Sequence, residues 1–350
     1  MKAAPFDYVR AADLQHALEL LAQYGADAKL LAGGQSLVPM MAMRLVRPAW
    51  LIDIHRLAEL QSITQTNDAV VTGAGVRQRV LEDTFSRDGG VSDARCAIHA
   101  NDVIDAHDTH GTAQNQAAAP TLRVQLALVA QALRWAGHGQ TRNRGTVGGS
   151  LVQADPSAEL PLAALVLGAT LHLARRGASG AADGVVQRRL NASAFFTGPM
   201  SCAADETECL TAIEWPVWQG AGIGSAFDEV AIRHGDFALA SAAAQVQLDA
   251  GGVCRRASFG TGGVAGVPLV FPQLAQRLLG QQLDDGLLHS VAADAAAECD
   301  PGSDPNASSA FRRHLAEVLM TRVLRQAARQ AAQRGAQRTP HAQPPHHRAQ

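Results

Sequence analysis

Two glycine-paired turns carry the residue types best suited to binding chemistry: Ala32-Gly33-Gly34-Gln35-Ser36-Leu37 and Thr146-Val147-Gly148-Gly149-Ser150. Adjacent glycines lack Cβ atoms, so successive backbone N–H groups can converge on the oxygens of an anion, and Ser36, Thr146 or Ser150 can add a hydroxyl donor. Neither turn contains a lysine. The expected donors are therefore N–H dipoles, which suit a pyrophosphate held as part of a fixed cofactor rather than one that is transferred. A single Gly-Gly pair is more often merely a tight turn; two of them in one chain carry more weight. Other phosphate signatures fail. Gly73-Ala74-Gly75 lacks a third glycine, Gly260-Thr261-Gly262-Gly263-Val264-Ala265 follows a strand but opens no helix, and no Gly-Lys-Ser/Thr run exists.

The remaining reactive side chains read as structural. Asp155 and Glu159 stand at helical spacing, but Asp155 precedes Pro156 and is expected to cap a helix that the proline opens. His99, Asp102, Asp105, His107, Asp108 and His110 are residue types that bind zinc or nickel, yet no apolar frame orients them, so a solvated loop is expected. Asp53 ends an apolar strand and is expected to hydrogen-bond locally. The five cysteines, at 96, 202, 209, 254 and 299, include no Cys-x-x-Cys pair. They suit neither an iron–sulfur cluster nor a disulfide framework, and read as buried thiols.

The elements that must position the two turns are legible from periodicity. A helix over 13–24, capped by Asp13 and ended by Gly25, precedes a strand at 29–32 that enters the first turn. A second strand spans 50–54, and a β-rich unit begins near Leu60 with a strand at 69–72. From about 85 to 120 the chain is polar and aperiodic, far longer than an ordinary connection. A helix is predicted over 123–135, then the second turn, then a nearly continuous apolar helix and strand over 160–173. The stretch 177–189 reads as a surface connection, 209–215 as a strand, and a third unit begins near Gly222 with a hairpin around Asp249-Ala250-Gly251-Gly252. Two helices, over 272–278 and 307–329, should close it, and 333–350 reads as a disordered tail.

Composition narrows the function class. The 350 residues are 47% apolar and 18% charged with formal net charge -2, which gives no strong field for nucleic acid or an anionic membrane and fits two or three subdomains. No apolar run reaches the roughly 18–20 residues of a membrane span and Met1–Arg10 lacks a signal-peptide pattern, so a cytoplasmic protein is expected.

Ala32-Gly33-Gly34-Gln35-Ser36-Leu37-Val38-Pro39, followed by Arg44-Leu45 and Leu51-Ile52-Asp53-Ile54, resembles the first flavin motif of the medium subunits of carbon monoxide dehydrogenase and related molybdenum hydroxylases. Arg142-Asn143-Arg144-Gly145-Thr146-Val147-Gly148-Gly149-Ser150-Leu151 and Ala154-Asp155-Pro156-Ser157-Ala158-Glu159-Leu160-Pro161 resemble the second. Similarity extends to Gly73-Ala74-Gly75-Val76, to the segment from Leu210 to Pro216 and to that from Arg233 to Ala238, covering about 1–83 and 123–330. The stretch between Asp83 and Arg123 is an insertion relative to the family.

The resemblance implies an α+β chain with the FAD-binding fold of the vanillyl-alcohol-oxidase and xanthine-dehydrogenase (PCMH) type. Two α/β subdomains, 1–57 and 58–218, would clasp FAD, and a C-terminal α+β domain would span 222–330. It implies cofactor contacts from Leu30, Leu31, Ala32, Gly33, Gly34, Gln35, Ser36 and Leu37, from Thr146, Gly149 and Ser150, from Asp155 and Glu159, and from Leu210. In the xanthine dehydrogenase branch a lysine contacts the cofactor just after a Ser-Ala-Phe stretch; here Ser225-Ala226-Phe227 is followed by Asp228. The implied function is electron transfer through FAD, with [2Fe-2S] clusters in a small partner subunit and a molybdenum cofactor in a large one. A self-sufficient flavin oxidase or dehydrogenase shares the fold but should carry a substrate base and often a covalent His or Cys link, neither of which stands out. A flavin-free scaffold is disfavoured by the two intact turns.

Overall fold

The computed structural model describes residues 2–66, 68–86, 126–177 and 184–336. The N-terminal unit contains β1 (Asp7–Arg10), α1 (Leu14–Tyr24), β2 (Ala28–Leu31), α2 (Leu37–Ala42) and β3 (Trp50–Asp53). Its three strands are parallel in the order β1-β3-β2. Asp13 caps α1 by accepting from His16 N at 2.7 Å, and Gly25 ends it at φ +52°. Leu18 and Leu21 of α1 pack with Ile52 of β3 and with Ala174 and Cys209 of the next unit, which seats the small sheet on the larger one.

The second unit runs through β4 (Ile63–Gln65), β5 (Ala69–Gly73), α3 (Gln78–Phe85), α4 (Ala127–Leu133), α5 (Gly139–Arg144), α6 (Val147–Gln153) and α7 (Glu159–Leu167). It continues through β6 (Thr170–Arg176), β7 (Val185–Asn191), α8 (Ala192–Phe195), β8 (Phe196–Gly198), β9 (Ser201–Cys202) and β10 (Glu208–Pro216). An antiparallel sheet in the order β4-β5-β10-β6-β7 results. Leu128, Leu133, Leu151 and Leu160 from the helices and Leu171, Leu173, Ile213 and Trp215 from the sheet share its core. Helix α7 is apolar nearly all round because it is covered on both sides.

The third unit is an antiparallel sheet of β11 (Ile223–Ala231), β12 (Ala238–Leu248), β13 (Cys254–Gly262) and β14 (Leu269–Val270), followed by α9 (Pro272–Gln276), α10 (Asp285–Ala297) and α11 (Ser309–Ala336). One sheet face packs Ala226, Ala240, Ala242, Ala244 and Val246 against Leu288, Val291, Leu319 and Val323 of α10 and α11. Alanine on that face lets the helices approach closely: a Cβ on Gly224 would lie 2.5 Å from Ala331 N.

Several expectations are corrected. The stretch 177–189 is not simply a surface connection, since Val185–Asn191 forms the edge strand β7, whose exposed face hides it from an apolar-run reading. Helix α10 is a third C-terminal helix, unread because alanine and single polar residues blur its stripe. The last helix runs to Ala336, so 333–336 are helical rather than a disordered tail. The helix expected at Pro156 starts at Glu159. The helix expected over 123–135 is seen over Ala127–Leu133. Most of the polar stretch, its histidines and Cys96, and the tail from 337 on lie outside the described residues.

Candidate functional site

The first glycine turn leaves β2 and enters α2. Gly34 adopts φ +72°, the left-handed region that glycine enters without a Cβ penalty. Among the described residues, the backbone N–H groups of Gly33, Gly34, Gln35, Ser36 and Leu37 have no acceptor within the protein. Gln35 and Ser36 are exposed, while Leu30, Leu31 and Ala32 are half-buried and lead the strand to the turn. Ladder bonding resumes only at Val38 N, which donates to Gly34 O at 3.1 Å. Five successive N–H groups without a protein acceptor at an accessible strand-to-helix turn have the arrangement that an anion cradle needs.

The second turn is wired differently. Val147 N donates to Val76 O at 2.9 Å, Gly148 N to Ala74 O at 2.8 Å, Gly149 N to Thr146 Oγ1 at 3.0 Å and Ser150 N to Thr146 O at 3.2 Å. Its backbone donors are therefore spent inside the protein, which corrects the expectation of a second N–H cradle. Thr146 is the N-cap of α6, and the accessible groups here are the Ser150 side chain and the exposed Gly149 backbone.

Glycine joins the two turns. A Cβ on Gly33 would lie 2.8 Å from Gly145 Cα and 3.0 Å from Arg144 C, and would overlap the Arg144 carbonyl oxygen. A Cβ on Gly148 would lie 2.5 Å from Ala74 Cβ. Ala74 N in turn donates to Thr211 O at 2.9 Å, next to Leu210, which is buried at a register shift in β10. Leu30–Leu37, Thr146–Ser150 and Leu210 thus form one contiguous locus.

Two cations were not anticipated there. The Arg77 guanidinium donates to the Arg144 carbonyl, and burial, then the nearby Arg144 charge, holds it below its ordinary range while Asp53 opposes. The signal was an arginine one residue after Gly73-Ala74-Gly75-Val76. Arg142 pairs with Glu82 at 2.8 Å and donates to Ala136 O and Gly137 O, so this motif residue anchors α5 and does not face solvent. Asp53 keeps the local role expected of it. Burial pushes its carboxyl up, but hydrogen bonds from the Tyr8 hydroxyl and from His55 hold it below the usual range.

Asp155 and Glu159 follow the second turn, where the chain meets the third unit and Gly263 N donates to Pro156 O at 2.8 Å. Asp155 accepts from Ser157 N at 2.9 Å in a local turn and does not cap α7, whose N-cap is Ala158. Burial raises its carboxyl. Burial likewise pushes Glu159 up to about 7, with Asp155 adding and its own N–H and Arg142 opposing.

A strand-to-helix cradle of free donors, closed by a glycine contact to a second motif, fits a dinucleotide pyrophosphate, and comparison with known proteins decides which. Residues 4–218 match the family described as the FAD binding domain in molybdopterin dehydrogenase. The chain belongs to that family. Residues 225–327 match the CO dehydrogenase flavoprotein C-terminal domain. The chain is 31% identical to the glyceraldehyde dehydrogenase medium chain of Sulfolobus acidocaldarius over 321 residues, covering 92% of this chain and 98% of that one. It is 31% identical to the carbon monoxide dehydrogenase medium chain of Afipia carboxidovorans, covering 92% and 96%. Carbon monoxide dehydrogenase from Hydrogenophaga pseudoflava superimposes with TM-score 0.78 at 28% identity, over 94% of this chain and 99% of that one. This member of the molybdopterin dehydrogenase FAD-binding family therefore has the PCMH-type flavin fold and is an FAD-binding oxidoreductase subunit. Among the described residues no helix is long and apolar enough to cross a membrane, and no His, Cys, Asp and Glu group could hold a metal ion. Cys209, Cys254 and Cys299 are buried thiols, and burial pushes Cys209 up to about 12.

Proposed function

We propose that this chain is the electron-transfer subunit of a heterotrimeric-type molybdenum hydroxylase, taking electrons from a small [2Fe-2S] subunit and passing them to an external acceptor. In this reading a large subunit with a molybdenum cofactor oxidises the organic substrate. The observation that carries the flavin site is the run of five unbonded N–H groups from Gly33 to Leu37, held open by the Gly33 contact with Arg144. The pyrophosphate lies on Leu30, Leu31, Ala32, Gly33, Gly34, Gln35, Ser36 and Leu37. Ser150 and Gly149 add contacts from the second turn, Thr146 fixes that turn's shape, and Leu210 supplies apolar surroundings. Glu159 and Asp155 stand behind the cofactor. Bound FAD supplies the redox chemistry, accepting electrons in pairs or singly and releasing them. The protein's part is to hold the pyrophosphate with neutral dipoles and with the Arg77 charge nearby, and to keep the ring in a fixed environment.

Contact with an electron-donating chain fits the surface beside the cradle, where Val38, Met43 and Leu45 are exposed around α2 and Val152 is exposed on α6. The chain divides in this reading at 1–57, 58–218 and 222–330. The test is reconstitution. The purified chain should hold FAD that acid precipitation releases and that dithionite reduces. It should be reduced by the organic substrate only when both partner subunits are present, and omission of the iron–sulfur subunit should abolish that reduction. Oxidation of substrate by this chain alone at the rate of the complex would instead establish a self-sufficient flavin dehydrogenase.

A further inference from the structure

The seam between α7 and the C-terminal sheet holds a buried polar cluster that the flavin site does not account for. Along β11, Ser225, Phe227 and Glu229 share one face, and their partners on β12 are Gln245, Ala243 and Ser241. Phe227 and Ala243 belong to the core built with α4 and α7, whereas Ala226, Ala242 and Ala244 belong to the core under α10 and α11. Ser225, Glu229, Ser241 and Gln245 therefore point at the flavin-binding layer. Leu162 of α7 lies against that sheet, 3.2 Å from where a Cβ on Gly260 would be. Glu159 is one helical turn before Leu162, on the same side of α7.

All four sheet residues are more than nine-tenths buried, and Glu229 Oε2, Ser225 Oγ, Ser241 Oγ and both polar atoms of the Gln245 amide have no hydrogen-bond partner. We propose that Glu159 and Glu229 act as one proton-binding unit behind the flavin layer, in which Glu229 gives up its proton after Glu159 and so adds a second negative charge behind FAD. The inference rests on the FAD reading above.

A buried carboxylate without a donor is costly, so such a group takes its neutral form, and two facing carboxyls resist double ionisation. Burial, then the Glu159 charge and the Asp228 charge, pushes Glu229 up to about 8, just above the value near 7 to which Glu159 is raised. The surrounding charges do not neutralise the pair. Arg142 is engaged by Glu82, Asp155 is itself acidic, and Asp228 is paired with Arg322 of α11. Helix α4 has no charged residue, and β12 and β13 present Ser241, Gln245, Gly260 and Gly262. The unit passes from neutral toward two negative charges as pH rises through this range, and negative charge behind a flavin disfavours its taking up electrons.

The test compares FAD-loaded wild type with Glu229→Gln, which copies the neutral carboxyl in shape. The flavin midpoint potentials should coincide near about pH 6 and separate progressively toward about pH 9, with wild type lower. The thermal midpoints should part earlier, from about pH 4.5 to about pH 8. Each acid's folded value is raised, so the pair's cost to stability grows as pH rises above about 4.5 and is complete above about 8, and the variant lacks the Glu229 share. Glu159→Gln removes the charge that pushes Glu229 up and should move the remaining loss of stability to lower pH. Parallel potentials on FAD-loaded proteins, or parallel thermal midpoints, would overturn the pair while leaving the flavin reading intact. Failure of both proteins to hold FAD would instead sink the flavin reading and this inference with it.

Discussion

Gly33→Ala is the sharpest probe of how the cradle is built. The new methyl would sit 2.8 Å from Gly145 Cα and 3.0 Å from Arg144 C, where ordinary carbon–carbon contact needs about 3.5–4.0 Å. The neighbours are backbone atoms, so no side chain can swing away, and the turns must part by roughly 0.5–1 Å. Overpacking of this kind costs about 1–3 kcal/mol. If the turns stay closed, the strain lowers the thermal midpoint; if they open, the donors lose their arrangement and FAD affinity falls about 5- to 150-fold. Measuring both by FAD fluorescence titration and thermal unfolding captures the cost wherever it falls. Gly139→Ala is the control, because a Cβ there meets nothing within 4 Å. Wild-type affinity together with a wild-type midpoint in Gly33→Ala would refute the claim that the two turns must touch.

Thr146→Ala removes the side-chain cap on Gly149 N and should cost about 1 kcal/mol in urea unfolding, with Thr146→Ser restoring most of it. Arg142→Ala leaves the buried Glu82 carboxylate with only the partly exposed Arg79, 3.7 Å away, and should cost about 3 kcal/mol; Arg142→Ala with Glu82→Gln should recover part of that loss, as a double-mutant cycle would show. Tyr8→Phe removes a hydrogen bond to Asp53 and should cost about 1.5–3 kcal/mol at pH 7. Because that bond holds the folded carboxyl low, its contribution is present above about pH 4 and is lost as pH falls through the folded value, so the two unfolding curves should converge in acid.

The order of elements near the flavin site was legible because its signals are local. Asp13 and Gly25 bracket α1 through a side-chain acceptor and a positive φ, and 160–173 is apolar enough to announce a covered helix and strand. The helix start at Glu159 was misplaced because Pro156 and Asp155 mimic an opening, while the chain instead makes a turn that Ser157 N closes on Asp155. Helix α10 was missed because alanine reports poorly on which face is buried. Glu229 was unreadable in principle: its partner Glu159 is remote in sequence, and only the β11–β12 register shows that it faces α7 together with Ser241 and Gln245.

The two glycine motifs look alike as text and differ in physics because of what runs beside each. Past the first turn the chain leaves the small parallel sheet, and the Arg144–Gly145 backbone that packs against Gly33 accepts none of the turn's N–H groups, so five of them remain free for a ligand. Beside the second, the segment from Ala74 to Val76 supplies carbonyl acceptors that take the N–H groups of Val147 and Gly148, and Thr146 takes that of Gly149. Three glycines then serve three separate needs. Gly34 supplies the positive φ that turns β2 into α2, Gly33 lets the Arg144 backbone close on the cradle, and Gly148 lets α6 start against Ala74. Substituting alanine should therefore divide them by readout. Gly148→Ala should act first on folding, through backbone already committed to hydrogen bonds, whereas Gly34→Ala should act first on FAD affinity, through donors that the fold itself leaves unused.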